Sequence, residues 1–294
     1  MPQTIQESLA HTKDAPSVSN GHQIEYLDTV EAYDKWAEVY DTDGNFLQAL
    51  DTIEMREMLP RFMSLVLSMD SQSGPRDLDK EVKSSSLNLV DLGCGTGRNT
   101  LQLIKAAPAR ARVTGLDASQ GMLDVATVTI QNEIANGDGE RERVTLGVYD
   151  LLSSCPQSLP IALEGQVSGI ISTLVLEHIP LDKFFLAAVT LIKPGGYLLV
   201  TNMHAEMGGI SQAGFVDAKT GAKIRPTSYA HEIRDVLAAG GRAGFEVVSL
   251  DESEEKVRER RVNEKMVGGL GERGKKWVGV MVWFGVCFRM RSEL

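Results

Sequence analysis

Residues 89–100, LVDLGCGTGRNT, change character at their centre. An apolar run ends on Asp91, Gly93, Gly95 and Gly97 follow at alternate positions, and polar residues then begin a segment with helical spacing. Strand, bare loop and helix in that order put the loop at the carboxyl end of a strand, where open parallel sheets bind their ligands. The missing side chains let backbone groups touch a ligand and permit positive φ. A glycine triplet also fits a tight turn with no ligand, so the spacing must decide. A dinucleotide loop runs G-x-G-x-x-G and faces pyrophosphate. Here the order is G-x-G-x-G, Arg98 stands where the third dinucleotide glycine belongs, and Asp91 precedes the loop. A carboxylate repels phosphates and suits a cation. The expected ligand bears a nucleoside, lacks phosphates and is positively charged.

The flanking chain alternates. Short β-type runs fall at 87–92, 112–117, 143–150, 167–174 and 197–203, with helical segments near 98–107, 119–135 and 181–192. This pattern predicts a doubly wound α/β fold, a mostly parallel sheet with helices on both faces. KPGG at 193–196 is expected to turn into the fifth strand. Residues 204–225 are Gly-rich and irregular, a helix is expected from about Ser228 to Ala239, and the runs 244–250 and 276–290 add two strands. The last is expected antiparallel at the sheet edge, making seven strands. Upstream, AYDKWAEVYD spaces Tyr33, Trp36, Ala37 and Tyr40 along one helical face, and helical periodicity resumes after a break at 43–45. The expected organisation is a flexible tail at 1–22 and an N-terminal helical lid with its connecting loop at 23–86. A ligand-binding core follows at 87–203, then a covering insert with its helix at 204–243, and edge strands of the same domain at 244–294.

Two further carboxylates close strands. Asp117 ends RVTGLD, a position suited to both hydroxyls of a ribose, and Asp150 ends RVTLGVYD, where it can accept from an adenine amino group. Singly, each is an ordinary strand-end or capping aspartate. Three acidic strand ends in order behind a bare loop describe an adenosyl pocket.

DLGCGTG, GLDASQGML, YDL and LVLEHI, in that order, resemble the class I S-adenosylmethionine-dependent methyltransferases over about residues 87–202, and AYDKWAEVYD resembles the N-terminal helix of their ubiquinone-biosynthesis-like members. The resemblance implies S-adenosylmethionine as cofactor. It implies a loop (Asp91, Gly93, Cys94, Gly95) at the methionine end, Asp117 on the ribose and Ala118 beside adenine. Met122 would pack on the ring, Asp150 and Leu151 would contact its edge, and Leu174 with the LEHI turn would lie under the sulfonium. Tyr33 or Tyr40 would close the lid. The insert resembles that of small-molecule methyltransferases, including fungal natural-product enzymes, which implies an oxygen or nitrogen of a small secondary metabolite as acceptor. Methylation of a protein or peptide side chain, and a methyltransferase-fold binding or regulatory protein without transfer, are the competing readings. A nicotinamide-dependent reductase is disfavoured by the glycine spacing.

A transferred methyl leaves an activated carbon, so the chain must align the acceptor and exclude water, and needs a base only where the acceptor holds a proton. His178 follows the fourth strand, His204 follows the fifth, and His231 opens the expected helix. These three are the catalytic candidates, each also suited to capping or packing. Trp277 and Trp283 are expected to be structural, on the last strand.

With 30 Lys+Arg against 40 Asp+Glu, the net charge of −10 argues against a nucleic-acid partner. The basic run 256–265 is interleaved with glutamates and fits a solvated surface. Cys94, Cys155 and Cys287 form no CxxC pair, and no acidic or histidine cluster has metal-ligand spacing, so no metal is expected. Without a signal core or a spanning apolar run, a cytoplasmic protein without a membrane partner is expected.

Overall fold

The computed structural model describes residues 3–10, 18–19, 21–72, 87–134, 141–153, 163–250 and 255–292. Its strands are β1 (Val18–Ser19), β2 (His22–Leu27), β3 (Asn88–Leu92), β4 (Arg112–Asp117), β5 (Val144–Val148), β6 (Val167–Thr173), β7 (Ile192–Met203), β8 (Phe215–Val216), β9 (Lys223–Pro226), β10 (Phe245–Val248), β11 (Val257–Arg261) and β12 (Met281–Met290). Its α-helices are α1 (Ile5–Ala10), α2 (Thr29–Trp36), α3 (Phe46–Gln72), α4 (Arg98–Ala106), α5 (Gln120–Ile134), α6 (Leu181–Leu191), α7 (Ala205–Gly208), α8 (Ile233–Arg242) and α9 (Val267–Leu270).

The main sheet runs β10-β12-β7-β6-β3-β4-β5, with β11 also paired to β12. Strands β3 to β7 pair in parallel, while β12 lies antiparallel to β7 and to β10. This is the expected doubly wound sheet. The strand order reverses between β3 and β6, which puts the β3 loop at the switch point. VSGIIST in β6 is buried at every position, because helices cover both faces of a central parallel strand. The seventh sheet position is shared, since β10 pairs with the end of β12 and β11 with its beginning. The basic run expected to be a solvated surface therefore contains an edge strand. Its Arg258 and Arg260 turn onto buried Glu54 at 2.7 and 2.6 Å.

Other expectations shift. Residues 193–196 are drawn into the long strand β7. Helix α8 starts at Ile233, and the segment before it is tied down instead, the Tyr229 N–H donating to Glu177 O and the His231 ring Nε2 lying against Ile179 O. The expected flexible tail is ordered over 5–10. Ile5 is buried, and its N–H donates to Ser228 O at 2.8 Å. Trp277 sits in a 3-10 turn (Glu272–Trp277) rather than on β12. A second sheet, β1-β2-β9-β8, was not expected; in it β2 runs parallel to β9 and joins the N-terminal segment to the insert. The loop at 73–86 and Cys155 lie outside the described residues. Among those residues no helix is long and apolar enough to cross a membrane.

Beneath the switch point, α3 delivers the fully buried Asp51. Its Oδ1 accepts from Thr201 Oγ1 (2.5 Å) and Trp283 Nε1 (3.1 Å), and its Oδ2 from the Arg98 guanidinium (2.8 Å) and Asn99 Nδ2 (3.2 Å). Four donors from α4, β7 and β12 thus converge on one carboxylate, which is how a buried charge is sustained.

Candidate active site

Past Leu92 the chain turns at once, and the N–H groups of Gly93 and Cys94 both donate to Leu116 O, at 2.7 and 2.9 Å. The loop is thereby tied to the end of β4. Gly93, at φ +79°, lies so close to Val175 that a Cβ would stand 2.3 Å from its Cγ2. Gly95, at φ +54°, has no atom within 4 Å of where its Cβ would be, so its bare side opens on the cleft. Gly95 N–H donates to Asp117 Oδ2 at 2.8 Å, and Ser119 N–H donates to Oδ1 at 2.9 Å. Asp117 therefore shapes the loop as well as lining it. Burial raises its pKa, against the backbone donors that lower it.

Leu174, directly after β6, is the non-glycine residue with positive φ among those described, at 58°. For a branched-chain residue the left-handed region costs about 1–2 kcal/mol. The distortion is held by Leu174 N–H donating to Thr201 O at 2.9 Å. It lies on the cleft wall.

The cleft is lined by Tyr33, Tyr40, Gly93, Gly95, Asp117 and Ala118, and on its other side by Asp150, Leu151, Leu174 and His178. Three of the expected contacts stand behind this wall. Asp91 is fully buried, the Cys94 sulfur packs toward Gly115, and Met122 is enclosed with Ala32, Trp36 and Phe215. Nor does the structure bring His204 or His231 to the cleft. His204 caps α7, its Nδ1 accepting from Glu206 N–H at 3.0 Å, and its Nε2 lies 3.3 Å from Glu259. His231 is buried against Ile179 O, and burial lowers its pKa. Ser119, Tyr149, Thr173, Val175 and Ile179 also line the cleft. Each is within two residues of an expected site residue or the LEHI turn, so a wider window around each strand end would have found them. Asp28, Thr29 and Val30 line it too, with no local signal, because α2 packs them there.

His178 is held at both ring nitrogens. Nδ1 lies 2.8 Å from Thr227 O, and since a carbonyl only accepts, this nitrogen carries the proton. In that tautomer Nε2 accepts from the Tyr33 hydroxyl at 2.8 Å. Glu177 Oε1 stands 3.5 Å from the same nitrogen. Burial, with Tyr40 and Glu177 nearby, raises the Tyr33 pKa well above the usual phenol value, so the hydroxyl keeps its proton.

Asp91 Oδ2 accepts from Thr100 Oγ1 at 2.6 Å, while Oδ1 is buried without a partner. Burial pushes the carboxyl up to about 7; Thr100 and Arg98 oppose this, and Asp117 and Asp51 reinforce it. A folded-state pKa above the unfolded one means that the folded protein binds the extra proton. The stability from this group is complete below about pH 4 and lost as pH rises through about 7, on the order of 4 kcal/mol. In thermal unfolding of ligand-free protein across that window, Asp91→Asn should flatten the decline. A decline of unchanged slope would assign it to other groups.

A larger chamber, about 510 Å³, lies beyond Trp36 and Glu177, roofed by Met207, Gln212 and Phe215 and reaching Trp277. Trp36 stacks on Phe215 at 5.1 Å and meets Tyr33 and Tyr40 at 5.5 and 5.2 Å between ring centres. One side of this wall faces the chamber through Trp36 and Glu177, the other faces the cleft through Tyr33, Tyr40 and His178. The Trp36 indole donates to Asp43 Oδ2 at 2.9 Å, which fixes the wall.

Comparison with known proteins places the chain in a family. A family model described as a methyltransferase domain matches residues 90–200. An uncharacterised methyltransferase of Emericella nidulans is 62% identical over 287 residues, 97% of this chain and 99% of that protein. A trans-aconitate 2-methyltransferase of Deinococcus radiodurans is 38% identical over 87 residues, 29% of this chain and 33% of that one. Among solved structures, a Listeria monocytogenes protein assigned to the S-adenosylmethionine-dependent methyltransferases superposes with a TM-score of 0.54. At 13% identity, over 83% of this chain and 99% of that one, this likeness speaks for the fold.

Proposed function

The chain belongs to the class I S-adenosylmethionine-dependent methyltransferases, and on that premise we propose that it methylates an oxygen or nitrogen of a small, secondary-metabolite-type molecule. The observation that carries the reading is the shared wall: the cleft over the glycine loop and Asp117 abuts a chamber of about 510 Å³, within the usual range for small-molecule sites.

The residues present fit S-adenosylmethionine. Asp91 Oδ1 is buried without a partner behind a loop whose Gly95 faces open space, and a cationic ligand in the cleft would favour its ionised form. Gly93 and Gly95 would hold the methionine end, Asp117 the ribose, and Ala118, Asp150 and Leu151 the adenine, with Leu174 under the sulfonium. Asp91, Cys94 and Met122 act from behind, by charge and packing. When bound, the cofactor supplies a methyl group already activated by its sulfonium, which passes in line to the acceptor atom.

The protein's own task is to align the acceptor, exclude water and take up its proton. Tyr33 and Tyr40 close the cleft. His178 Nε2 is the proposed base. The Tyr33 oxygen receives the acceptor's proton as its own proton passes to Nε2, and Glu177 steadies the resulting imidazolium. His178→Ala should lower turnover about 10²–10⁴-fold and leave the affinity for S-adenosylhomocysteine within a few-fold. Equal losses in both would make His178 a structural residue. Methyl-labelled cofactor offered to a pool of small metabolites, followed by mass spectrometry, tests the acceptor class; label appearing in protein alone would overturn it.

A further inference from the structure

The outer half of the chamber has the wrong sign for this molecule. In a chain of net charge −10, Lys223, Arg273, Lys275 and Lys276 all line it. Lys275 is paired with Glu272 at 2.7 Å. Among the described residues, Lys223, Arg273 and Lys276 have no carboxylate at ion-pair distance, and Lys276 instead lies over the Trp277 ring at 5.0 Å. The Lys223 ammonium is half-buried, and its pKa is lowered by burial and by Arg225, Lys276 and Arg273, the mark of cations crowded together.

A second feature points the same way. Trp277 Nε1, Gln212 Oε1 and Glu177 Oε2 are buried polar atoms without a partner, on residues that are 4%, 7% and 5% exposed, and all three residues line this chamber. Buried polar groups are normally satisfied. Orphans spread along one cavity mark where a polar ligand makes its hydrogen bonds. Between them the walls are apolar: Trp36, Phe46, Leu47, Met203, Met207 and Phe215.

We propose that this chamber is the acceptor site and that it takes an organic anion. An anionic oxygen group sits against Lys223, Arg273 and Lys276, an apolar body lies between Trp36, Phe215 and Trp277, and the atom to be methylated reaches inward toward Glu177. This deepens the small-molecule reading and rests on it. Trp277 Nε1 donates to the anion or to the body's polar edge, while Gln212 and Glu177 accept from donors elsewhere on the body or from a second amine N–H, leaving the transferred proton to Tyr33. Of the two carboxylates lining the chamber besides Glu272, Asp43 accepts from Trp36 and feels the Arg273 charge, and Glu177 stands beside His178.

The test uses the full chain with S-adenosylhomocysteine present and two fluorescent probes of nearly one shape, anilinonaphthalene sulfonate and its uncharged relative N-phenylnaphthylamine. The anion should bind at one site about tenfold more tightly than the neutral probe, and the difference should shrink with added salt. Lys223→Met, or the exposed Lys276→Met should the first variant not fold, should remove most of the difference while leaving neutral-probe binding within twofold. Equal affinity for both probes, or a difference insensitive to salt and to both variants, would overturn the proposal. In a panel of small aromatic and aliphatic acids that also carry a hydroxyl or amine, and their amides, labelled methyl should enter the hydroxyl or amine of the acids, and Lys223→Met should raise KM about tenfold with kcat little changed. Label confined to the amides would overturn it as well. Calorimetry of S-adenosylhomocysteine binding on the same samples separates the two levels. Cofactor binding with no preference for the anion sinks only the acceptor class, whereas absence of cofactor binding sinks the methyltransferase reading beneath it.

Discussion

Asp51→Ala should destabilise the protein by about 3–5 kcal/mol, the range for removing one partner from a buried charged pair. Four donors would lose their acceptor together, and the Arg98 side chain, 22% exposed, would be left without its carboxylate. The damage concentrates where α3, α4, β7 and β12 meet, directly below the cofactor loop. Urea unfolding should show a lower midpoint with an unchanged slope, because the same surface is exposed on unfolding. Asp51→Asn retains an acceptor at one oxygen and should lose less. A wild-type midpoint for Asp51→Ala would mean that the four donors find water or one another, and that the buried carboxylate anchors nothing.

Gly93→Ala should be nearly as costly, for a different reason. The new Cβ must occupy φ +79°, about 1–2 kcal/mol unfavourable, and it meets Val175 Cγ2 at 2.3 Å, an overlap worth about 1–3 kcal/mol more. The strain falls on the loop whose N–H groups are tied to Leu116 O, so cofactor affinity should drop with stability. Adding Val175→Ala removes the collision but not the backbone cost. The double variant should therefore recover part of the loss in thermal unfolding and in S-adenosylhomocysteine titration. Additive losses would show that the loop, rather than Val175, had moved to make room.

The sheet and the ligand end of it could be read from local pattern. Alternation of short apolar runs with helical segments depends on residues close in sequence, and the strands 88–92, 112–117, 144–148 and 167–173 fall where it puts them. The carboxylates Asp117 and Asp150 reach the cleft because a strand end fixes its last residue at the sheet's rim. Long-range packing was not readable in the same way. VRERR looks like a solvated surface until Glu54 from α3 and the free edge of β12 are brought beside it. His204 and His231 follow elements that end near the active rim, yet their rings turn to Glu206 N–H and Ile179 O. Strand position fixes where a residue starts, not where a long side chain goes. Met122 shows the reverse case, a residue beside the expected adenine site whose helix turns it inward onto Trp36.

The parallel pairing of β2 with β9 joins positions 199 residues apart, such as Ile24 and Lys223, and the His22 ring adds a bond to Gly221 O beside it. Closing so large a loop costs more entropy than any neighbouring contact and returns only a few rungs of ladder. His22, Phe215, Val216 and Lys223 of this small sheet line the chamber, so that side of its wall is carried by a few long-range rungs, whereas the cleft rests on the eight-stranded sheet. The two cavities therefore differ in what holds their walls: distant pairing for one, a continuous sheet for the other.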